Sequence, residues 1–154
     1  MLNIGGNFFF GPCENRMSGL DLSGVTTLKT LNIYNAEFDD LNATLNSAAS
    51  VEEVNISSPQ SDSGPLDYLD LSANSNLTSV GVTAMYTVGP SIINIKNGAN
   101  QQLIELRLEV YNFYFPIVNN WETCIEADDP VYIESIITIF GIAPSYSVTT
   151  DCSN

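Results

Sequence analysis

Carboxylates and cysteines are the side chains of this sequence that could do chemistry, because the 154 residues include no histidine. Histidine is the usual general base and the commonest metal ligand, so its absence counts against acid–base catalysis. Carboxylate pairs occur at Glu52–Glu53 and at Glu105 with Glu109. Glycoside hydrolysis needs such a pair at a fixed separation in a cleft, which a short open repeat array rarely provides. We therefore predict no catalytic residue and a protein that is not an enzyme.

Two acidic doublets, Asp39–Asp40 and Asp128–Asp129, offer oxygen ligands of the kind that calcium prefers. Neither doublet lies in a loop with the alternating Asp-x-Asp-x-Asp-Gly spacing of a calcium site. We predict no metal ligand and no cofactor.

The excess of acidic over basic residues counts against some classes of binding partner. Four basic residues stand against 18 acidic ones, for a net charge of -14. Such a chain repels nucleic-acid phosphates and anionic lipid, and no apolar run approaches the roughly 20 residues that span a bilayer. We predict neither nucleic-acid binding nor membrane insertion, and a monomer is favoured over a dimer.

The elements that would position any site follow from an internal repeat. Leu-x-x-Leu-x-Leu patterns, each typical of a short strand, end at residues spaced by 23, 26 and 26 positions, within the range of leucine-rich repeats. These segments are LKTLNI (28–33), VEEVNI (51–56), LTSVGV (77–82) and LIELRL (103–108). Alternate apolar side chains point inward in a strand, and stacked repeats bury them in a common core.

A second apolar pattern lies between these strands and marks the opposite edge of each repeat. It comprises LDLSG (20–24), LDLSANSN (69–76) and INIKNGAN (93–100). Asn, Ser, Thr and Gly fill the corners, where they favour sharp turns. Because no long helical periodicity occurs from 20 to 112, we expect the connections to be short extended or 3₁₀ segments.

These residues resemble the short, Asn- and Ser-rich leucine-rich repeats of exported Bacteroidetes surface proteins. The resemblance covers roughly residues 13–152 and is most specific at INIKNGAN (93–100), TCIEADDPVY (123–132) and SYSVTTDC (145–152). It implies a leucine-rich-repeat solenoid, a right-handed superhelix of short parallel strands and turns with little helix and a disulfide-closed C-terminal cap. The implied divisions are a truncated first coil or N-terminal cover (1–16), the repeats (17–112) and the cap (113–154). The implied location is secreted or cell-surface, with the export signal outside this chain.

The resemblance also suggests roles for the three cysteines. In that family a pair such as Cys124 and Cys152 forms a disulfide that closes the last coil, and closing a loop of this length is worth roughly 3 kcal/mol. Cys13 matches an inward position that the family often fills with cysteine, which implies a buried thiol.

Three segments depart from the repeat pattern. Residues 57–65 look like an inserted loop, and residues 109–122 are unusually bulky and aromatic. The β-branched run at 131–144 predicts a final pair of strands that closes the core. Specific function is most expected in the first two.

The outward positions of the strands predict a concave, polar binding surface. Its candidate binding residues are Asn32, Tyr34, Glu53, Asn55, Glu105, Arg107, Glu109 and Tyr111. Protein interaction or adhesion is the preferred function, with Tyr34, Arg107 and Tyr111 as anchors of the type enriched in interfaces. Carbohydrate binding in a polysaccharide-using system, with tyrosines stacked on sugars, is the alternative, and a structural spacer is the third.

Overall fold

The computed structural model describes residues 1–5, 16–17, 19–34, 37–38, 40–57, 67–85, 89–111, 121–141 and 144–153. The strands of this part of the chain are β1 (Leu2–Gly5), β2 (Arg16–Met17), β3 (Thr30–Tyr34), β4 (Glu37–Phe38), β5 (Glu53–Ser57), β6 (Tyr68–Asp70), β7 (Ser79–Met85), β8 (Ile92–Asn94), β9 (Glu105–Tyr111), β10 (Glu122–Glu126), β11 (Ile137–Gly141) and β12 (Ser145–Thr149). The helices are α1 (Leu41–Ser47), α2 (Pro130–Ile136) and a 3₁₀ turn at Asn100–Gln102.

The strands form two main parallel sheets. The larger has six strands in the order β1-β3-β5-β7-β9-β11, and the smaller has four in the order β12-β10-β8-β6. A separate two-stranded sheet pairs β2 with β4. From β5 onward the chain alternates between the two main sheets, so each passage adds one strand to each of them.

The core follows from the alternation of apolar residues along these strands. In the larger sheet Leu31, Val54, Val80 and Leu106 are consecutive partners in register, and all four side chains are buried. Leu69 of β6, Ile93 of β8 and Ile125 of β10 belong to the same buried cluster, which spans both sheets. The apolar face of a parallel sheet must pack against another apolar surface, and here the inner faces of the two sheets pack against each other.

The prediction of a leucine-rich-repeat solenoid made of strands and turns with little helix is wrong. The chain forms an α/β-like arrangement of two parallel sheets with two α-helices in the described residues. The second apolar pattern predicts only the opposite edge of each repeat, whereas in β6 and β8 its backbone joins a hydrogen-bonded sheet. The four Leu-x-x-Leu-x-Leu segments do contain the starts of β3, β5, β7 and β9.

Helix α1 occupies the place of a further strand beside β6. Asn42 donates from Nδ2 to the Tyr68 carbonyl at 3.0 Å and accepts at Oδ1 from the Asp70 N–H at 2.8 Å. Its side-chain amide thereby satisfies one donor and one acceptor on the edge of β6. On the other side of α1, the hydroxyls of Thr44 and Ser47 accept the backbone N–H groups of Leu20 and Leu22. The LDLSG segment is thus held by a helix.

Helix α2 explains why the predicted final strand pair at 131–144 is only partly present. Asp129 caps the helix by accepting from the Tyr132 N–H at 3.1 Å, and Pro130 fills its first turn. Both features favour a helix start, since proline lacks an N–H that this position would leave unsatisfied. Residues Ile137–Gly141 of the run form β11, a single strand of the larger sheet.

Buried asparagines hold the turns that follow the smaller sheet. Asn74 donates to the carbonyls of Leu45 and Ala48, and it is fully buried. Asn100 accepts at Oδ1 from the N–H groups of Asp128 and Asp129 at 2.6 and 3.1 Å. Each amide therefore joins its own turn to the backbone of a neighbouring turn, which satisfies buried polar groups without a charge.

The disulfide between Cys124 and Cys152 is confirmed, with the two Cα atoms 5.9 Å apart. It ties β10 to the residues that follow its edge neighbour β12. Cys13 and the segment 58–66 lie outside the described residues, as do 112–120, so the predictions for them stay predictions, and so does the division at 16 and 112. No helix in the described part of the chain is both long and apolar enough to cross a bilayer.

Cys152→Ser is expected to lower the free energy of unfolding by roughly 3 kcal/mol, because the bond closes a loop with a sequence separation of 28. Urea denaturation measures the change. A reducing agent should destabilise the wild type by a similar amount and leave the variant unaffected. Equal stability of variant and wild type would contradict a structural role for the bond.

Asp40→Ala is expected to cost about 1 kcal/mol, because Asp40 caps α1 by accepting from the Ala43 N–H at 2.8 Å. Asp40→Asn keeps an acceptor at this position, so it should lower the free energy of unfolding by only about 0.3 kcal/mol. Thermal and urea unfolding of both variants test the cap. A loss of the same size in both would mean that the charge, and not the hydrogen bond, matters.

Candidate functional site: the outer face of the six-stranded sheet

The outer face of the larger sheet is formed by the side chains that alternate with its buried residues. The in-register pairing places these side chains in rows that cross the strands. The central row contains Asn3, Asn32, Asn55, Gly81, Arg107 and Thr138. One flanking row contains Thr30, Glu53, Ser79 and Glu105, and the other contains Gly5, Tyr34, Ser57, Thr83, Glu109 and Phe140.

Four side chains of the central row, from Asn3 to Arg107, form a series of hydrogen bonds. Asn32 donates to Asn3 Oδ1 at 2.7 Å, and Asn55 donates to Asn32 Oδ1 at 2.8 Å. Arg107 then donates from Nη2 to Asn55 Oδ1 at 3.1 Å. The row thereby links side chains on β1, β3, β5 and β9, and its members restrain one another.

Arg107 reaches Asn55 by crossing the strand between them. That strand, β7, carries Gly81 in the central row. A Cβ atom at Gly81 would lie 2.6 Å from Asn55 Oδ1 and 2.8 Å from Arg107 Nη2, closer than such atoms can approach. The absence of a side chain at Gly81 therefore leaves the space in which the guanidinium lies.

Carboxylates surround the guanidinium. Glu109 Oε1 is 2.8 Å from Arg107 Nε, and Glu105 Oε2 is 4.0 Å from Nη1. On β5, two strands away from β9, Glu53 Oε1 accepts from Asn55 Nδ2 at 3.0 Å. The outer face from β3 to β9 thus carries three carboxylates and one guanidinium.

Hydroxyl groups position each of these carboxylates. Thr30 donates to Glu53, Ser79 donates to Glu105 and Thr83 donates to Glu109, at 3.2 to 3.3 Å. In each pair the hydroxyl and the carboxylate stand on adjacent strands of the sheet. The polar array is therefore ordered in both directions across the sheet before any ligand binds.

Exposed aromatic residues lie towards the two ends of one flanking row. Tyr34 on β3 is 44% exposed and has Gly5 as its in-register neighbour, and Phe140 on β11 is 48% exposed. Four strand spacings of about 4.8 Å separate their backbone positions, or about 19 Å. Their rings can contact a ligand that lies across the sheet.

The predicted binding residues lie on strands of one sheet, and the structure shows how each is placed there. All eight lie on strands of the larger sheet, and seven of them are at outward register positions, while the side chain of the eighth, Tyr111, is outside the described residues. Asn32 is only 7% exposed, so it supports the row and offers little surface to a ligand. The proposed anchors Tyr34 and Arg107 are three strands apart, so they do not form one cluster.

Sequence reasoning missed the members of this face on the edge strands, namely Asn3, Thr138 and Phe140. A signal for Asn3 was available, since Leu2-Asn3-Ile4 repeats the tripeptide Leu31-Asn32-Ile33 with which it pairs. Phe140 was assigned to a strand pair that closes the core. Its outward orientation follows only from the pairing of β11 with β9.

The acidic doublets have structural roles where they are described. Asp40 and Asp129 cap the two helices, and Asp128 accepts the Gly98 N–H at 2.8 Å. No group of three or more possible metal ligands occurs within the described ranges. Asp39 lies outside them.

Gly81→Ala is expected to break the bond between Arg107 and Asn55 and to lower the free energy of unfolding by about 1 kcal/mol. Repeating the substitution in an Asn55→Ala background provides the control, because the acceptor of that bond is then already missing. Urea denaturation of the four proteins gives the coupling energy. An identical cost of Gly81→Ala in both backgrounds would show that the glycine serves some other purpose.

Comparison of the chain with protein-family models, with curated proteins and with solved structures gives no match in any of the three. The family resemblance inferred from the repeat residues therefore stays a prediction.

Proposed function

We propose that this protein is a non-catalytic binding module that recognises a partner protein through the outer face of its six-stranded sheet. The observation that carries the proposal is the hydrogen-bonded array of Asn32, Asn55 and Arg107 with their flanking carboxylates. A surface whose side chains are ordered in advance loses little conformational entropy on binding. Arginine and tyrosine are also enriched among the residues that dominate interface energies.

The shape of the site supports a macromolecular ligand. An open sheet face can contact an extended surface, whereas small-molecule sites are typically enclosed clefts. Among the described residues, depressions of about 460 Å³ lie beside Cys124 and Ser147 and beside Asn100 and Asp128, away from this face. The outer face thus suits adhesion or protein interaction better than catalysis.

We also propose that the protein acts outside the cell or at its surface. The disulfide between Cys124 and Cys152 supports this location, since such bonds persist mainly in oxidising compartments. A bacterial cell surface is the expected setting, in keeping with the family resemblance.

Tyr34→Ala, compared with Tyr68→Ala, tests the proposed face. The two tyrosines are similarly exposed, at 44% and 38%, but Tyr68 belongs to the smaller sheet. We expect Tyr34→Ala to weaken binding to a protein ligand by about tenfold or more, and Tyr68→Ala to leave it unchanged. Arrays of surface proteins and of glycans, probed with both variants and the wild type, provide the measurement.

The arrays separate the three functions that the sequence left open. If the protein binds a glycan and Tyr34→Ala loses that binding, the ligand is a carbohydrate and not a protein. An exposed tyrosine ring and side-chain amides are suited to a carbohydrate as well. Binding that is equally affected by both tyrosine substitutions would contradict a site on this face. The absence of any ligand that depends on the face would leave a structural spacer.

A further inference from the structure

We infer that the partner segment bound by the outer face is extended and basic, with lysine or arginine side chains spaced about 10 Å apart along it. This inference rests on the proposed function and names the chemistry of its ligand. It follows from the charges of the face, from the way in which Arg107 is already engaged and from the spacing of the exposed carboxylates.

The face attracts cations. Glu53, Glu105 and Glu109 outnumber the single guanidinium of Arg107, and the whole chain has a net charge of -14 with only four basic residues. A negatively charged face on a negatively charged protein speeds association with positively charged partners and repels negatively charged ones. An acidic protein segment or an anionic polymer would be repelled.

Arg107 does not offset this preference by acting as an anion receptor. Its Nε lies 2.8 Å from Glu109, its Nη2 donates to Asn55, and its Nη1 lies 4.0 Å from Glu105. A carboxylate or phosphate ligand would have to approach the guanidinium past the charges of Glu105 and Glu109 and compete with Asn55 for Nη2. The flat guanidinium instead presents a face that can stack on a planar group of the partner.

Glu53 and Glu105 are the carboxylates best placed to receive basic side chains. They stand in the same row on β5 and β9, with β7 between them, so two strand spacings of about 4.8 Å put their backbone positions about 10 Å apart. The Glu105 side chain is 40% exposed, whereas that of Glu109 is 15% exposed. In a polyproline II segment, residues three positions apart lie on one side and are about 9.3 Å apart, which matches this spacing.

The probe for the test is a peptide of four Lys-Pro-Pro repeats, which favours the polyproline II conformation. Its comparison peptides are four Glu-Pro-Pro repeats and a peptide of the same composition as the probe with its four lysines contiguous. Fluorescence anisotropy measures the affinity of each for the full chain. We expect the spaced lysine peptide to bind most tightly, and to weaken as the salt concentration rises from about 0.05 M to about 0.3 M.

Charge variants locate the binding. Glu53→Gln combined with Glu105→Gln removes two charges from the face and keeps one amide oxygen at each position, so Ser79 keeps an acceptor and either Thr30 or Asn55 keeps its bond to residue 53. The matched control is Glu122→Gln with Glu134→Gln, two exposed residues on β10 and α2 that change the net charge equally. We expect about a fivefold or greater loss of affinity in the face variant and less than twofold in the control. Unfolding curves of both variants establish that they fold.

Three results would overturn the inference. They are equal losses in the face and control variants, binding of the glutamate peptide as tight as that of the lysine peptide, and equal affinity for spaced and contiguous lysines. Failure here is distinguishable from failure of the proposed function. A protein ligand that depends on Tyr34 but is indifferent to Glu53 and Glu105 would keep the binding face and reject only its basic ligand.

Discussion

The structure depends on the in-register stacking of buried apolar side chains between two parallel sheets. Leu31, Val54, Val80 and Leu106 form one such column, and each is fully buried. Burial of apolar area is the main favourable term, at about 25 cal/mol per Å², and one strand pair alone could not supply enough of it. Successive passages of the chain cover one another, so the register of each strand is set by the one before it. A slip of one residue would turn every apolar side chain towards water.

The connections between the sheets satisfy their backbone groups with uncharged side chains. Asn42 completes the edge of β6, while Asn74 and Asn100 bind the backbone of neighbouring turns. Short amides and carboxylates suit these positions because they hydrogen-bond nearby backbone and tolerate turn conformations. This explains how a chain with only 14% charged residues remains well organised, and why its acidic doublets serve as helix caps. The disulfide fastens the segment after β12, which is an edge strand of the smaller sheet among the described residues.

The candidate site consists of the outward-facing residues of the same strands whose inward-facing residues form the core. Since the inward set of residues is required by the core, the outward set is free to carry another function. Here it carries the row from Asn3 to Arg107, which continues across Gly81 because a glycine leaves room for the guanidinium. These bonds also stabilise the sheet, so the same side chains serve structure and binding. Tyr34 and Phe140 are exposed without such a structural need, and they make the face suited to a ligand.

The sequence alone determined which residues of the repeated strands point inward and which outward, because that depends only on alternation along each strand. It therefore placed Asn32, Asn55 and Arg107 on one surface, while the pairing of Cys124 with Cys152 came from a family resemblance. The tertiary structure decided that the second apolar pattern forms a sheet, that α1 replaces a strand, and that Arg107 bonds to a residue 52 positions away. Such features depend on which unpaired hydrogen-bonding groups come close to one another once the strands are in register. The local sequence does not specify which of these groups come close in space. For this reason the predicted solenoid of strands and turns was wrong.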